Sequence, residues 1–444
     1  MNKRIVIVGG GSSTWGARLM ADLMLTPSIA SSMYVLHDIE PANAERVAGF
    51  ARKLAQKLGA GATIVTELDP DRALEGADFV LITISTGRLP AMAHDLAIPE
   101  AYRVYATVGD TVGPGGWARA MRNIPVFIDM ARRIQRIAPT AVILNYTNPM
   151  AQLTRVLCRL TGQPVVGLCH GLFENLALLQ KVFNLEKEEQ IKASYGGINH
   201  FFWITSLTIN SADGLAMVRD LLSRRTLPQI LAEIEPGREY YHVADELYRF
   251  TGIMPYLGDR HISEFLPQYI TSQEHLAHYH LHRTTIQERL DALHQAEQDI
   301  EDMTRGEIPT HYTEPSRETA ASIINAFVTG TEFQDVGNVP NQGQIANLPL
   351  GAVVETPVIA GPLGFRPVVV GNLPEPVRTW VERQVRVQEL TVEAGMSGDL
   401  DQAIKALALD PTVSHLTFDE IKEMGRRLLR ANAQYLPQFS GQLA

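Results

Sequence analysis

The chain has 444 residues, 45% of them hydrophobic and 20% charged, a composition that excludes a disordered or fibrous protein. Its 39 Lys and Arg stand against 49 Asp and Glu, a formal net charge of -10, which argues against a nucleic-acid partner because phosphate binding needs a basic face. The length exceeds what one hydrophobic core usually serves, so two domains sharing a cleft are expected.

No apolar run approaches the roughly 18 residues of a membrane helix. The short run Ile5–Val8 stops at three glycines, too early for a signal sequence. Cys158 and Cys169 are the only cysteines. One lies in a helix-like run and the other beside a histidine, so no structural disulfide is expected, and the reducing cytoplasm is the simplest setting.

In chain order, β-branched runs at Arg4–Val8, Met33–His37, Thr63–Val65, Phe79–Ile84, Ala141–Leu144 and Val165–Leu168 predict strands. Helical spacing between them covers Trp15–Leu25, Ala42–Leu58, Trp117–Ile137 and Met150–Leu160. This alternation predicts an α/β fold: a Rossmann-like, doubly wound parallel sheet over residues 1–170. Residues 171–444 read as a tightly joined α+β domain. Its helical segments are Glu174–Phe183, Asp213–Arg224, Thr285–Arg305 and Pro374–Glu393, with strand-like pieces at Tyr195–Thr205 and Val353–Ala360.

Gly9-Gly10-Gly11-Ser12-Ser13-Thr14 follows a strand and opens a helix. Glycines here allow a tight turn and backbone approach to a pyrophosphate, with Gly9, Gly11, Ser12 and Ser13 as the contacts. Asp38 ends the second strand, where a carboxylate binds the ribose hydroxyls of NAD and repels the extra phosphate of NADP. Thr14 replaces the third fingerprint glycine.

Ligands of open parallel sheets bind beyond the carboxyl ends of strands. Asn145–Met150 and Cys169-His170-Gly171 both begin there, and both should face the nicotinamide end. Asn148 before Pro149 also fits an ordinary turn, and Cys169 also fits a small buried hydrophobe. Gly197-Ile198-Asn199-His200 offers a second imidazole within a strand-like stretch. A cysteine thiolate with a neutral imidazole suits a divalent transition metal with positions left for substrate. Gly258-Asp259-Arg260-His261 reads either as a capped turn or as an acid kept ionised by its neighbouring arginine. The glycine-rich loop Gly109–Gly116 delivers Asp110 ahead of the helix starting at Trp117, and Asn338–Gln344 is a further polar turn.

In this order, the Gly9–Ser13 turn, the Gly109–Gly116 loop, Thr147-Asn148-Pro149, Cys169-His170, Gly197–His200 and Gly258-Asp259 resemble glycoside hydrolase family 4. The resemblance covers nearly the whole chain, and within the family it is nearest the bacterial α-galacturonidases. It implies a lactate/malate dehydrogenase-like NAD domain, a requirement for NAD and a divalent metal, usually Mn²⁺, and a homodimer or homotetramer. It also implies reversible oxidation at C3 of the sugar, elimination, addition of water and reduction, the family being an exception to the two-carboxylate rule. Carried over by position, Cys169 and His200 hold the metal, Asp259 removes the C2 proton and His170 protonates the leaving oxygen. Asp110 tunes the base or a ligand, and Asn148 contacts a substrate hydroxyl. Asn199, Arg260 and His261 are further substrate contacts, and Arg260, His261, Arg119 and Arg122 are the groups that could face a C6 carboxylate. Gly171 after Cys-His departs from the galacturonidase pattern toward α-glucuronidases, which leaves the epimer open. An α-galactosidase of the same family and, in another class, a 2-hydroxyacid dehydrogenase or a non-catalytic NAD-binding regulator are the alternatives. No membrane partner is expected.

Overall fold

The computed structural model describes residues 2–443. The first half runs β1 (Arg4–Val8), α1 (Gly16–Leu25), β2 (Met33–His37), α2 (Pro41–Leu58), β3 (Thr63–Glu67), α3 (Pro70–Leu74) and β4 (Phe79–Ile82). It continues with α4 (Arg88–Glu100), α5 (Gly113–Ile137), β5 (Val142–Asn145), α6 (Met150–Leu160), β6 (Val165–Gly167) and α7 (Gly171–Val182). The strands pair in parallel in the order β3-β2-β1-β4-β5-β6, the doubly wound dinucleotide-binding order.

Alternation along β1 accounts for the two covered faces. Ile5 and Ile7 enter a core built with α1 and α2, while Val6 and Val8 enter a second core with α5 and α6. A strand buried on both sides must be apolar at every position, which is why these runs lack a polar alternate. Each fully buried aliphatic side chain contributes about 1.5–3 kcal/mol relative to exposure.

The sheet does not stop at β6. It continues through β10 (Phe333–Pro340), β11 (Val353–Gly361), β7 (Ile191–Ile198), β8 (Phe201–Ile209) and β9 (Ala212–Asp213), all antiparallel, with β12 (Gly364–Pro367) beside β11. Residue 170 therefore sits next to a seam inside one twelve-stranded sheet. At that seam Gly167, Asn338, Glu355 and Gly197 lie side by side across four strands. A Cβ on Gly197 would meet the Phe201 carbonyl oxygen at 2.2 Å, so the hairpin closes this tightly only with glycine there.

Three expectations need correcting. The stretch Tyr195–Thr205 is not one strand but two, β7 and β8, turning at Asn199-His200. The helix expected from Trp117 begins at Gly113, because Pro114 at its first turn lacks an N–H that would go unsatisfied there anyway. Helix α4 was not anticipated, its ring of Ala, Met and Leu giving weak periodicity. It matters because Asp95 on α4 meets Arg122 on α5 in a fully buried bidentate pair, Nη1–Oδ1 2.8 Å and Nη2–Oδ2 2.5 Å. Arg122, which also donates Nε to the Thr86 carbonyl at 2.9 Å, is thus committed to the core and is not a substrate contact. Asp95→Ala should destabilise the fold by about 3–5 kcal/mol by orphaning a buried guanidinium. The double variant Asp95→Ala/Arg122→Met should recover part of that in thermal unfolding.

Candidate active site

The glycine turn sits at the carboxyl end of β1. Gly9 has φ 85°, and a Cβ there would lie 2.1 Å from the Thr83 carbonyl oxygen at the end of β4, so only glycine lets the turn pass. Gly11 donates its N–H to Asp38 Oδ2 at 3.0 Å, and Glu40 donates to Asp38 Oδ1 at 2.9 Å. Trp15 N–H is taken by Ser12 Oγ at 3.4 Å. Among the described residues the N–H groups of Ser13 and Thr14 donate to no protein acceptor. A partly exposed acid beside a turn with two unsatisfied donors ahead of a helix fits the ribose and pyrophosphate of a dinucleotide.

At the ends of β5 and β6 the remaining groups converge. Asn145 staples its turn by accepting from Thr147 N–H at 2.9 Å and donating to Thr147 O at 3.2 Å. Asn148, before a cis proline, points its amide Nδ2 at Asp110 Oδ2, 3.5 Å away, and its Oδ1 is buried without a partner. Glu264 holds the loop that carries Asp110. Its Oε1 accepts from Val108 N–H at 2.7 Å, Gly109 N–H at 2.8 Å and Thr107 Oγ1 at 3.2 Å.

Burial pushes the Glu264 carboxyl from 4.5 up to about 7, against the N–H groups that favour its charge. A folded carboxyl that holds its proton more tightly than the unfolded one contributes stability below about 4.5 that is lost as pH rises through about 7. Glu264→Gln keeps an acceptor oxygen but cannot ionise. The stability difference between the variant and the natural chain should therefore move in favour of Gln from pH 4.5 to pH 8 in denaturant titrations.

Asp110, His200 and His261 place one ligand atom each within 4.8 Å of one another. A hydrogen-bond relay fixes the His200 tautomer. The Thr111 hydroxyl donates to Asp110 Oδ1 at 2.9 Å, so its oxygen must accept from His200 Nδ1–H at 3.1 Å. The His200 Nε2 lone pair is thereby left for a cation. His200 adopts φ 64° at the turn of the hairpin, a left-handed conformation rare for residues other than glycine, and such strain concentrates at functional sites. Burial first, and then the neighbouring His261, keep His200 neutral. Burial works against the Asp110 charge, but His261, Arg119 and His200 outweigh it and bring its carboxyl down to about 2. His261 Nδ1 is buried with no partner. An ionised carboxylate with two neutral imidazoles is a donor set for a divalent metal.

Cys169 does not belong to this group of three. Its Sγ accepts from Gly171 N–H at 3.4 Å, and burial pushes its thiol far up. Behind it, Asn199 and Asn338 both donate to Glu355 Oε2, at 3.1 and 2.8 Å, and burial lifts the Glu355 carboxyl to about 7. Asn199 is thus engaged by the seam, with its own Oδ1 buried and unpartnered.

The His170 ring lies against Trp15, with centroids 5.0 Å apart, and stacks on Phe173 at 6.2 Å. Its Nε2 is 3.4 Å from Glu318 Oε1, a residue for which the sequence offered no motif. Burial raises the Glu318 carboxyl to about 7 and lowers the pKa of His170.

Asp259 departs from expectation in its partner. Its carboxylate does not face Arg260; it accepts from Val243 N–H at 3.1 Å and Ala244 N–H at 2.9 Å, capping the helix His242–Thr251. Burial, not an arginine, sets its character, raising the pKa from 3.8 to about 7. Arg260 instead donates Nη2 to Thr107 O at 3.0 Å and to Thr284 Oγ1, tying the Asp110 loop to the start of the helix Ile286–Arg305.

The sequence pattern of Family 4 glycosyl hydrolase matches residues 4–185, and that of the Family 4 glycosyl hydrolase C-terminal domain matches residues 195–413. The chain belongs to glycosyl hydrolase family 4. An α-galacturonidase of Thermoanaerobacterium saccharolyticum is 32% identical across 97% of this chain and 96% of that protein. An α-galacturonidase of Bacillus subtilis is 33% identical across 92% and 93%. The solved structure of a 6-phospho-α-glucosidase from gut microorganisms, in complex with NAD and Mn²⁺, is 21% identical. It superposes with a TM-score of 0.81 over 98% of this chain and 99% of that one. The family's two sequence patterns divide at the α7–β7 connection, and the site described above draws residues from both.

Proposed function

We propose that this family 4 glycosidase cleaves α-linked uronides, α-galacturonides first, in an NAD- and divalent-metal-dependent reaction with no net redox change. The single observation that carries the reading is the Asp110–His200–His261 group, with His200 buried and the two others partly exposed, set beside Asn148 on the sheet edge where the glycine turn and Asp38 also lie. The α-galacturonidase relatives support the substrate class. His200, Asp110 and His261, with Cys169 as the soft ligand expected from sequence, are the residues that would hold the metal.

When bound, NAD supplies a reversible hydride acceptor and the metal a Lewis acid, as befits a cofactor doing the difficult chemistry. The chain's own part is positional and protonic. Asn148 Oδ1, buried and unpartnered, is ready to accept a sugar hydroxyl. Asp259, with a pKa of about 7, is the carboxyl that would take the C2 proton and release it again near neutral pH. His170 delivers a proton to the departing oxygen. Burial leaves its imidazole a weak proton holder, and the Glu318 carboxyl beside Nε2 is the group that resupplies it. The reading carries with it a reducing cytoplasmic setting and a homodimer or homotetramer. No helix among the described residues is long and apolar enough to cross a membrane.

The test is kcat/KM for nitrophenyl α-galacturonide, α-glucuronide and α-galactoside with NAD and Mn²⁺. The galacturonide should be cleaved fastest. If the neutral galactoside wins, the uronide assignment is wrong; if the glucuronide wins, the epimer is wrong and Gly171 was the better guide. Stoichiometric accumulation of NADH would instead mark a dehydrogenase.

A further inference from the structure

We propose that Arg119 and Arg289 together form the seat for the C6 carboxylate of the substrate, the feature that separates uronides from neutral sugars at this site; the proposal rests on the uronide reading above. Helix α5 carries two arginines toward the interior one turn apart, and they are treated differently. Arg122 has a complete bidentate partner in Asp95. The Arg119 side chain makes one hydrogen bond among the described residues, Nε to the Asn148 carbonyl at 2.9 Å, and no ion pair. That bond fixes the guanidinium against the very turn whose amide contacts Asp110, and neither of its two terminal nitrogens has a protein acceptor. A half-buried cation in this condition carries a desolvation cost that the nearby Asp110 and Asp95 charges offset only in part. An incoming anion removes it.

The second arginine stands on the helix Ile286–Arg305, whose approach is tied to the strand of chain leading to Asp110, Thr284 N–H donating to Thr107 O at 2.8 Å and Arg283 Nε to Ala106 O at 3.3 Å. Arg289 lies in the first turns of the helix Ile286–Arg305. It is exposed, and it makes no side-chain hydrogen bond or ion pair among the described residues. Its charge nevertheless acts on both Arg119 and His261. Two guanidinium groups within electrostatic reach, with no carboxylate paired to either, repel each other unless an anion comes between them. Asp110 is the acid that acts most strongly on Arg119, yet it also belongs to the Asp110–His200–His261 group. A cation bound there would draw Asp110 away and leave Arg119 more in need of an anion. A planar carboxylate suits this arrangement because guanidinium forks bind it in bidentate fashion. Arg260 is a poorer candidate, since Thr107 O and Thr284 Oγ1 already occupy its Nη2. The hydroxymethyl of a neutral galactoside would leave Arg119 half-buried and unpaired, and sites built this way discriminate strongly.

Arg289→Gln, a surface change that should not disturb folding, and Arg119→Met are assayed with nitrophenyl α-galacturonide and α-galactoside, together with calorimetric binding of free D-galacturonate and D-galactose. Each variant should lower the uronide-to-galactoside ratio of kcat/KM by about tenfold to a hundredfold, the loss of one charged hydrogen bond or more. The change should fall in KM and in galacturonate affinity, with galactose binding unchanged. If Arg119→Met proves unstable in thermal unfolding, Arg289→Gln alone decides. A natural chain that prefers the neutral galactoside overturns the uronide reading itself. A natural chain that prefers the uronide, with the ratio intact in Arg289→Gln, overturns only the seat. So does an Arg119→Met effect confined to the KM for NAD.

Discussion

Replacing His200 with Ala or Asn should lower metal-dependent turnover about a thousandfold or more, the loss of several kcal/mol of Lewis-acid assistance, while NAD affinity changes little. The expectation comes from the Asp110–Thr111–His200 relay, which leaves Nε2 as the open ligand atom, and from the 4.8 Å grouping with Asp110 and His261. Two substitutions are needed because of the backbone. At φ 64° an alanine is strained, whereas asparagine tolerates the left-handed region. If Asn retains the melting temperature and still binds Mn²⁺ weakly by calorimetry, the loss is a ligand effect and not a folding effect. Cys169→Ser and His261→Ala, measured the same way, divide the remaining ligands. A metal affinity unchanged in all of these variants removes the metal assignment.

The second large effect concerns Asp259. Asp259→Asn should reduce kcat about a hundredfold to ten-thousandfold, the usual contribution of a positioned general base. It should do so with little unfolding, because the Asn side-chain oxygen still caps Val243 or Ala244. The alternative is built into the same geometry. Both carboxylate oxygens are already engaged by backbone N–H groups, so Asp259 could serve the helix His242–Thr251 alone. In that case Asn would cost stability, about 1 kcal/mol as for a weakened cap, and kcat would fall severalfold at most. Exchange of the C2 proton with solvent separates the two roles, since a cap does not move protons.

How much of this was legible beforehand follows from the kind of signal each part leaves. The parallel half is written in local patterns: β1 and β2 end where the β-branched runs end, and α6 spans its periodic stretch. The glycine turn and Asp38 are neighbours in space because the fold demands it of β1 and β2. The antiparallel continuation left no comparable trace. Its seam is made by single pairs such as Asn338 with Gly167 and Glu355 with Gly197, contacts between segments far apart in the chain. Arg122 read as a candidate for the C6 carboxylate because its partner lies on α4, a helix the sequence pattern did not announce. Glu318 and Arg289 carried no motif, and only the folding of distant segments around His170 and Arg119 gives them meaning. His261 stood beside the expected base as a substrate contact; the structure groups it with His200 instead, ring centroids 4.0 Å apart.

The central claim is that this site breaks a glycosidic bond by removing and returning a proton at C2 under a transient oxidation, not by direct displacement. The measurement that tests it most directly is turnover of α-galacturonide in D₂O, with and without NAD, reading deuterium in the released sugar by NMR. Deuterium is expected at C2, with no turnover in enzyme stripped of NAD. Full hydrolysis by NAD-free enzyme, with protium retained at C2, would contradict it.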